Sequence, residues 1–123
     1  MKRILLIDDD SEVRFNLQLF LEDEGFDCIL ADSAEKAIVL MEKQCFDVAI
    51  VDLRLPGMNG EEFILKTHPV CPKLKYIIHT GSMDYNISEH LIEVGLDKED
   101  IMLKPLENMN DLLNKINKLI ANE

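Results

Sequence analysis

The sequence predicts an α/β fold: a doubly wound, five-stranded parallel sheet with helices on both faces and strand order 2-1-3-4-5. Two observations predict it. Short apolar runs of strand length alternate with stretches of helical periodicity five times over, the pattern of βαβ units. The stretch Phe46–Asp52 also carries a continuous, largely β-branched run, Val48-Ala49-Ile50-Val51, closed after a few residues by the turn signal Pro56-Gly57. Such a run suits a strand buried on both faces. Right-handed crossovers then favour a doubly wound sheet, for which 2-1-3-4-5 is one of the two common orders.

The elements follow in chain order. Lys2 to Ile7 is a short apolar run ahead of three acids, Asp8, Asp9 and Asp10, and is the first strand. From Ser11 the apolar spacing becomes helical, with Val13, Leu17, Phe20 and Leu21 on one stripe that also takes in Glu24, and Gly25 as the stop. Asp10 or Ser11 caps its start. Phe15 and Leu19 lie off that stripe, one turn apart, either as extra core or as a small exposed patch. Phe26 to Ala31 is the second strand, and Asp32 or Ser33 caps a helix from about Ala34 to Lys43 with Ala37, Ile38 and Met41 facing in. Phe46 to Asp52 is the third strand, Leu53 to Gly60 a loop of turn formers, and about Glu61 to Thr67 a short helix that ends before Pro69. Leu74 to Thr80 is the fourth strand, Asp84 to Val94 the fourth helix with Gly95 as its stop, and Asp100 to Lys104 the fifth strand, ended by Pro105. Leu106, Met109, Leu112, Leu113, Ile116, Leu119 and Ile120 form the apolar stripe of the final helix.

Composition bounds the function. A chain of 123 residues with 47% apolar content makes one domain, residues 1–123, with one sizeable core. No apolar run is long enough to span a membrane, and charge at Asp8 interrupts any signal-peptide core, so a cytoplasmic protein is expected. The net charge of −11 argues against direct nucleic-acid contact, which needs a basic face, and fits partners that are cationic. Cys28, Cys45 and Cys71 are odd in number and lack C-x-x-C spacing; they read as core or half-buried thiols rather than a disulfide or zinc framework. His68, His79 and His90 show no ligand spacing. His79 precedes Thr80 and so points to the opposite sheet face, as a core imidazole. Glu22-Asp23-Glu24 reads as a solvated face.

Every residue with chemical promise falls at a strand end, where open α/β sheets gather ligands. In order 2-1-3-4-5, the ends of strands one, three, four and five bring Asp8 and Asp9, Asp52, Thr80 and Lys104 to one edge. Three neighbouring carboxylates do not all stay ionised without a counter-charge. A divalent cation supplies it, and oxygen-only ligands suit Mg2+. Lys104 adds a point charge that pairs with phosphate and Thr80 a hydroxyl donor. A carboxylate can attack phosphorus to give an aspartyl phosphate. These residues read as a Mg2+-assisted phosphoacceptor centred on Asp52.

Asp8-Asp9, the stretch Asp52-Leu53-Arg54-Leu55-Pro56-Gly57-Met58-Asn59-Gly60, Thr80-Gly81 and Lys104-Pro105 together resemble the receiver domain of two-component response regulators, over essentially the whole chain. The resemblance implies a flavodoxin-like (βα)5 fold. It implies that Asp52 accepts a phosphoryl group from a sensor histidine kinase, a phosphotransfer protein or a small acyl phosphate. It implies that Asp9 and Asp52 ligate Mg2+ directly, that Asp8 acts mostly through water, and that the Arg54 backbone carbonyl completes the protein ligands. Thr80 and Lys104 would close on the phosphoryl group and repack the face of helix four, strand five and helix five. The output would be a downstream protein target, or an effector domain outside this chain, with phosphorylation-dependent dimerisation. Arg54 and Ser82 resemble positions that tune phosphoryl hydrolysis, and Lys104-Pro105 is a candidate cis bond.

The sequence also departs from the receiver pattern. Ile101 stands where an aromatic residue usually swings. Gly95 to Asp100 is about two residues longer than the usual turn, and Gly81 replaces an alanine. Two other readings stay open. A haloacid-dehalogenase-type phosphohydrolase also forms an aspartyl phosphate, but wants an aspartate where Arg54 stands. A degenerate receiver would serve only as an interaction module, although all the site residues are present. The leading expectation is a switch that phosphorylates and dephosphorylates itself, not a turnover enzyme.

Overall fold

In the computed structural model, which describes residues 1–81 and 85–121, five parallel strands lie in the order β2-β1-β3-β4-β5. They are β1 (Arg3–Ile7), β2 (Asp27–Ala31), β3 (Val48–Val51), β4 (Lys75–Thr80) and β5 (Ile101–Leu103). The helices are α1 (Ser11–Asp23), α2 (Ala34–Lys43), α3 (Gly60–Thr67), α4 (Glu89–Glu93) and α5 (Met109–Ala121). The expected sheet order is therefore the observed one. Among the described residues no helix is long and apolar enough to cross a membrane.

The central strand β3 pairs with β1 through Ile4–Val48 to Ile7–Val51 and with β4 through Val48–Lys75 to Val51–Ile78. All four of its residues are buried, as a strand covered on both faces requires. Alternate residues serve two cores. Leu5, Ile7, Ala49, Val51, Tyr76 and Ile78 pack on one face with Ala34, Ala37, Phe63, Ile64 and Leu91. Ile4, Leu6, Val48, Ile50 and Ile77 pack on the other with Leu17, Leu21, Leu112 and Ile116. The period of two along a strand sends successive side chains to opposite layers, so α2, α3 and α4 cover one face and α1 and α5 the other.

Local chemistry sets the helix starts. Asp10 caps α1, accepting from the backbone N–H of Glu12 and Val13, and Ser33 caps α2 through Lys36. Asn59 and Glu62 form a reciprocal capping box at α3. Phe15 and Leu19 are exposed, which decides between the two alternatives for that pair. Glu22, Asp23 and Glu24 are exposed as expected.

Four expectations shift. Helix four is shorter than Asp84–Val94. Ser88 is its N-cap, in extended backbone, and accepts from Leu91 N–H (3.2 Å). Residues 85–88 are not helical, because Asn86, β-branched Ile87 and Ser88 are weak helix formers and the cap closest to the apolar stripe wins. Asp84 itself, with Ser82 and Met83, lies outside the described residues. The long approach to β5 folds as a 3-10 turn, Lys98–Asp100, with an Asp97–Asp100 capping box. Buried Asp100 then pairs with Lys115 of α5 (2.8 Å), which pins β5 to that helix. Leu106 precedes α5 instead of joining it, though it still packs on the α1/α5 core. Of the cysteines, Cys28 is buried and Cys71 half-buried, but Cys45, in the turn before β3, is exposed.

His79 lies on the α1/α5 face, beside Val13, Leu17 and Met109. It is buried, and neither ring nitrogen has a hydrogen-bond partner among the described residues. Burial, helped by the nearby Lys104 charge, pulls its pKa down to about 4. The folded state thus keeps the imidazole neutral, while the unfolded chain protonates it near the ordinary value of about 6.5. The unfolded state binds more protons between these two values, so stability falls as pH drops through that window. Between neutral pH and about pH 5 this one group should cost roughly 2 kcal/mol. Urea midpoints across that range should fall less steeply for His79→Phe than for the wild-type chain; parallel slopes would assign the pH dependence to other groups.

Candidate functional site

The site lies at the carboxyl edge of β1, β3, β4 and β5, where the strands release the chain into loops. Asp8 follows β1 and Asp52 follows β3. The sheet continues one bond past each strand: Asp8 N–H donates to Ala31 O (3.2 Å) and Asp52 N–H to Ile7 O (2.9 Å). Both acids are thereby held at the edge with buried side chains, at 3% and 6% exposure. Asp9 is exposed beside them. One carboxylate oxygen from each of Asp8, Asp9 and Asp52 lies within 4.8 Å of the others.

Lys104 enters from the end of β5. Its Nζ donates to Asp8 Oδ2 (2.6 Å) and to Asp52 Oδ2 (3.1 Å). Its backbone N–H donates to Thr80 O (2.8 Å), so the lysine and the fully buried Thr80 are tied through the sheet edge. The Lys104–Pro105 peptide is cis. Arg54 N–H donates to Asp52 Oδ1 (3.1 Å) while its side chain is exposed. Gly81 is exposed, and a Cβ there would meet nothing within 4 Å, in keeping with an open path to the acids. Ile101 is half-buried and packs on the α2–α4 core. Every site residue singled out from the sequence falls at this edge except Ser82, which lies outside the described residues.

One ammonium serves two buried acids, and the electrostatics show the shortfall. Burial is the largest influence on Asp8 and raises its pKa; the Lys104 hydrogen bond and charge and the Asp10 N–H oppose it without cancelling it. Burial alone would lower the Lys104 pKa, but hydrogen bonds and charge from Asp8 and Asp52 together raise it. The two partners therefore move the same way. The lysine is held firmly protonated by two carboxylates, whereas each carboxylate has only a share of one lysine. With all groups ionised, three carboxylates face one ammonium, a surplus of negative charge that a hard cation fits. The donor set is oxygen only, which suits Mg2+ and not zinc or copper.

Removing the ammonium should therefore destabilise the metal-free protein. The loss expected for Lys104→Ala is about 2 kcal/mol, below the usual cost of breaking a buried pair because the lysine is partly exposed. Mg2+ should raise the thermal midpoint of that variant by more than it raises the wild type, since it replaces the missing charge. Equal Mg2+-induced shifts would contradict a shared cation site.

Sequence reasoning missed two supports. Arg14 Nη1 donates to Asp8 O (2.6 Å) from the first turns of α1. Glu35 of α2 accepts from Met58 N–H (3.0 Å). A charged side chain off the apolar stripe near a helix start is the only local hint of either, and its partner is visible only in the folded chain. Gly60, the first residue of α3, is a third constraint. A Cβ there would overlap the Asp52 carbonyl oxygen and lie 2.9 Å from Leu53 Cα, so α3 can abut the end of β3 only with glycine at this point.

The chain belongs to the response regulator receiver domain family, whose model matches residues 4–117; it is a receiver domain of the two-component type. Its relatives include the alginate biosynthesis transcriptional regulatory protein AlgB of Pseudomonas syringae pv. tomato. That protein is 34% identical over 103 residues, covering 84% of this chain and 22% of AlgB, so the chain spans about a fifth of that relative's length. Among solved structures, a CheY-like receiver domain protein from Methanospirillum hungatei JF-1 superposes with a TM-score of 0.86 at 33% identity, covering 99% of this chain and 95% of the other. The response regulator TrrA of Thermotoga maritima, solved in complex with Mg(2+)-BeF, superposes at 0.85 with 27% identity, covering 97% and 99%. TrrA has also been solved with the histidine kinase ThkA (TM-score 0.83).

Proposed function

We propose that this chain is a single receiver domain acting as a cytoplasmic phosphorylation switch, with Asp52 as phosphoacceptor. The observation that carries the proposal is the meeting of one carboxylate oxygen each from Asp8, Asp9 and Asp52 within 4.8 Å, with the Lys104 ammonium bonded to Asp8 and Asp52. An Asp52 carboxylate oxygen attacks the phosphorus of a phosphohistidine or acyl phosphate. The bond from phosphorus to the histidine nitrogen or acyl oxygen breaks, and the leaving group departs with its electron pair. Asp8, Asp9, Asp52 and the Arg54 carbonyl would hold Mg2+, which offsets charge on the transferring group. Lys104, freed from Asp52, pairs with a phosphoryl oxygen, and the Thr80 hydroxyl donates to another. Water later cleaves the aspartyl phosphate, which resets the domain.

The phosphodonor is a sensor histidine kinase or phosphotransfer protein, in line with the kinase complex of TrrA. The output is carried by the face of α4, β5 and α5, read by a protein target or an attached effector domain, or through dimerisation. The switch is a shift between two packings biased by the new phosphate contacts. With Ile101 in place of an aromatic ring, the shift runs through backbone and movement of the short α4. Arg54 stands two residues after the acceptor with an exposed side chain, which suits a tuning role in hydrolysis and not the acid/base role of a phosphohydrolase. Incubation with acetyl phosphate should add one phosphoryl group to the intact mass when Mg2+ is present and none when it is chelated. Uptake that ignores Mg2+, or steady release of phosphate from phosphomonoesters, would overturn the proposal.

A further inference from the structure

The loop from Asp52 to Asn59 carries the acceptor and the backbone carbonyl assigned to the cation, and its two ends are fastened locally. Arg54 N–H is held by Asp52 Oδ1 (3.1 Å), and Gly60 N–H by Leu53 O (3.1 Å). Leu55 anchors the near side in the core. The apex, Pro56 to Met58, is different. Gly57 turns it with φ +75°, and Pro56 and Gly57 are exposed. The apex is gripped from outside the loop, by Glu35 in the first turn of α2. Glu35 Oε2 accepts from Met58 N–H (3.0 Å), across 23 residues of sequence. The same oxygen lies 2.6 Å from where a Cβ on Gly57 would stand. The carboxylate therefore rests against two consecutive residues of the loop backbone, and glycine at 57 leaves the room for it.

We propose that Glu35 is a positioning residue for the phosphoacceptor site: it clamps the apex of the β3–α3 loop so that Asp52 and the Arg54 carbonyl stay in register with Asp8 and Asp9. The inference rests on the phosphoacceptor reading above. The ionised carboxylate suits its place twice over. The start of a helix favours negative charge, and the Met58 N–H, the largest influence, holds the Glu35 carboxyl below its ordinary pKa. A bond from a charged acceptor to a backbone N–H is also among the stronger kinds. Loss of the clamp frees the apex to lift, and the cost falls on cation and phosphoryl chemistry more than on the fold, because Glu35 is an exposed side chain.

The test titrates MgCl2 into the full chain and follows backbone amide shifts by NMR. Amide hydrogen exchange is measured alongside, in the absence of metal. Glu35→Ala should weaken Mg2+ affinity about fivefold, less than the loss from an outer partner bonded directly to a ligand, and slow phosphoryl uptake by a similar factor. The thermal midpoint should stay close to wild type, and the Met58 amide should exchange faster. Glu35→Gln keeps an oxygen to accept from Met58 and should recover most of both effects. The clamp is overturned if Glu35→Ala binds Mg2+ as wild type does with Met58 still protected, or if Glu35→Gln is as impaired as Glu35→Ala. Failure of the wild-type chain to bind Mg2+ at all would refute the phosphoacceptor reading instead, and Met58 exchange would still decide the clamp.

Discussion

Asp52→Asn should abolish phosphorylation completely while leaving the fold in place. An amide is not a nucleophile toward phosphorus and forms no acyl phosphate, so no residual label is expected at that position. The fold should survive for reasons visible at the site. The amide oxygen can still accept from Arg54 N–H, as Asp52 Oδ1 does at 3.1 Å. Lys104 retains its shorter bond to Asp8, 2.6 Å. Relief of like-charge repulsion among three clustered acids offsets the ion pair that is lost. The thermal midpoint without Mg2+ should therefore stay near that of wild type, and the stabilisation that Mg2+ gives should shrink. Persistent labelling of the folded variant would move the acceptor elsewhere.

The second large effect is structural. Gly60→Ala places a methyl group against backbone, not against a side chain that can turn away. The Asp52 carbonyl oxygen, Asp52 C (3.0 Å) and Leu53 Cα (2.9 Å) all stand in its path. Relief requires α3 to back away from the end of β3. That movement strains the Gly60 N–H bond to Leu53 O and loosens Phe63 and Ile64, both fully buried. The cost should be about 3 kcal/mol, at the upper end for overpacking a close contact. Because the displaced backbone is that of Asp52 itself, Mg2+ affinity should fall as well. Denaturant unfolding, read beside a Mg2+ titration, checks both. A variant as stable as wild type would mean that α3 is not seated against the acceptor strand.

Much of this architecture was legible before folding, and the legible parts share a cause. Val48 to Val51 is apolar and largely β-branched because it is covered on both faces, so burial is written into local composition. Asp8, Asp52, Thr80 and Lys104 could be gathered on paper because a parallel sheet sends every strand end to one edge, and strand order alone makes them neighbours. What stayed hidden depends on contacts between segments. The short α4 is the exception, a local competition in which the Ser88 cap and the weak helix formers Asn86 and Ile87 outweigh the apolar spacing. The 3-10 turn at Lys98–Asp100 is held by Lys115 of α5, and Glu35 and Arg14 act on loops that reach them only in the folded chain. The exposure of Phe15 and Leu19 was undecidable because helical spacing tells which residues share a face, not which of two apolar faces is covered.

The central claim is that the carboxylate at Asp52 is where the phosphoryl group comes to rest. Tandem mass spectrometry of the wild-type chain after exposure to acetyl phosphate and Mg2+, with the acyl phosphate trapped by borohydride reduction before digestion, tests it most directly. The account predicts one modified residue, Asp52, and no modification when Mg2+ is chelated. Reduction mapped to any other carboxylate, or to none in protein that binds Mg2+, would contradict it.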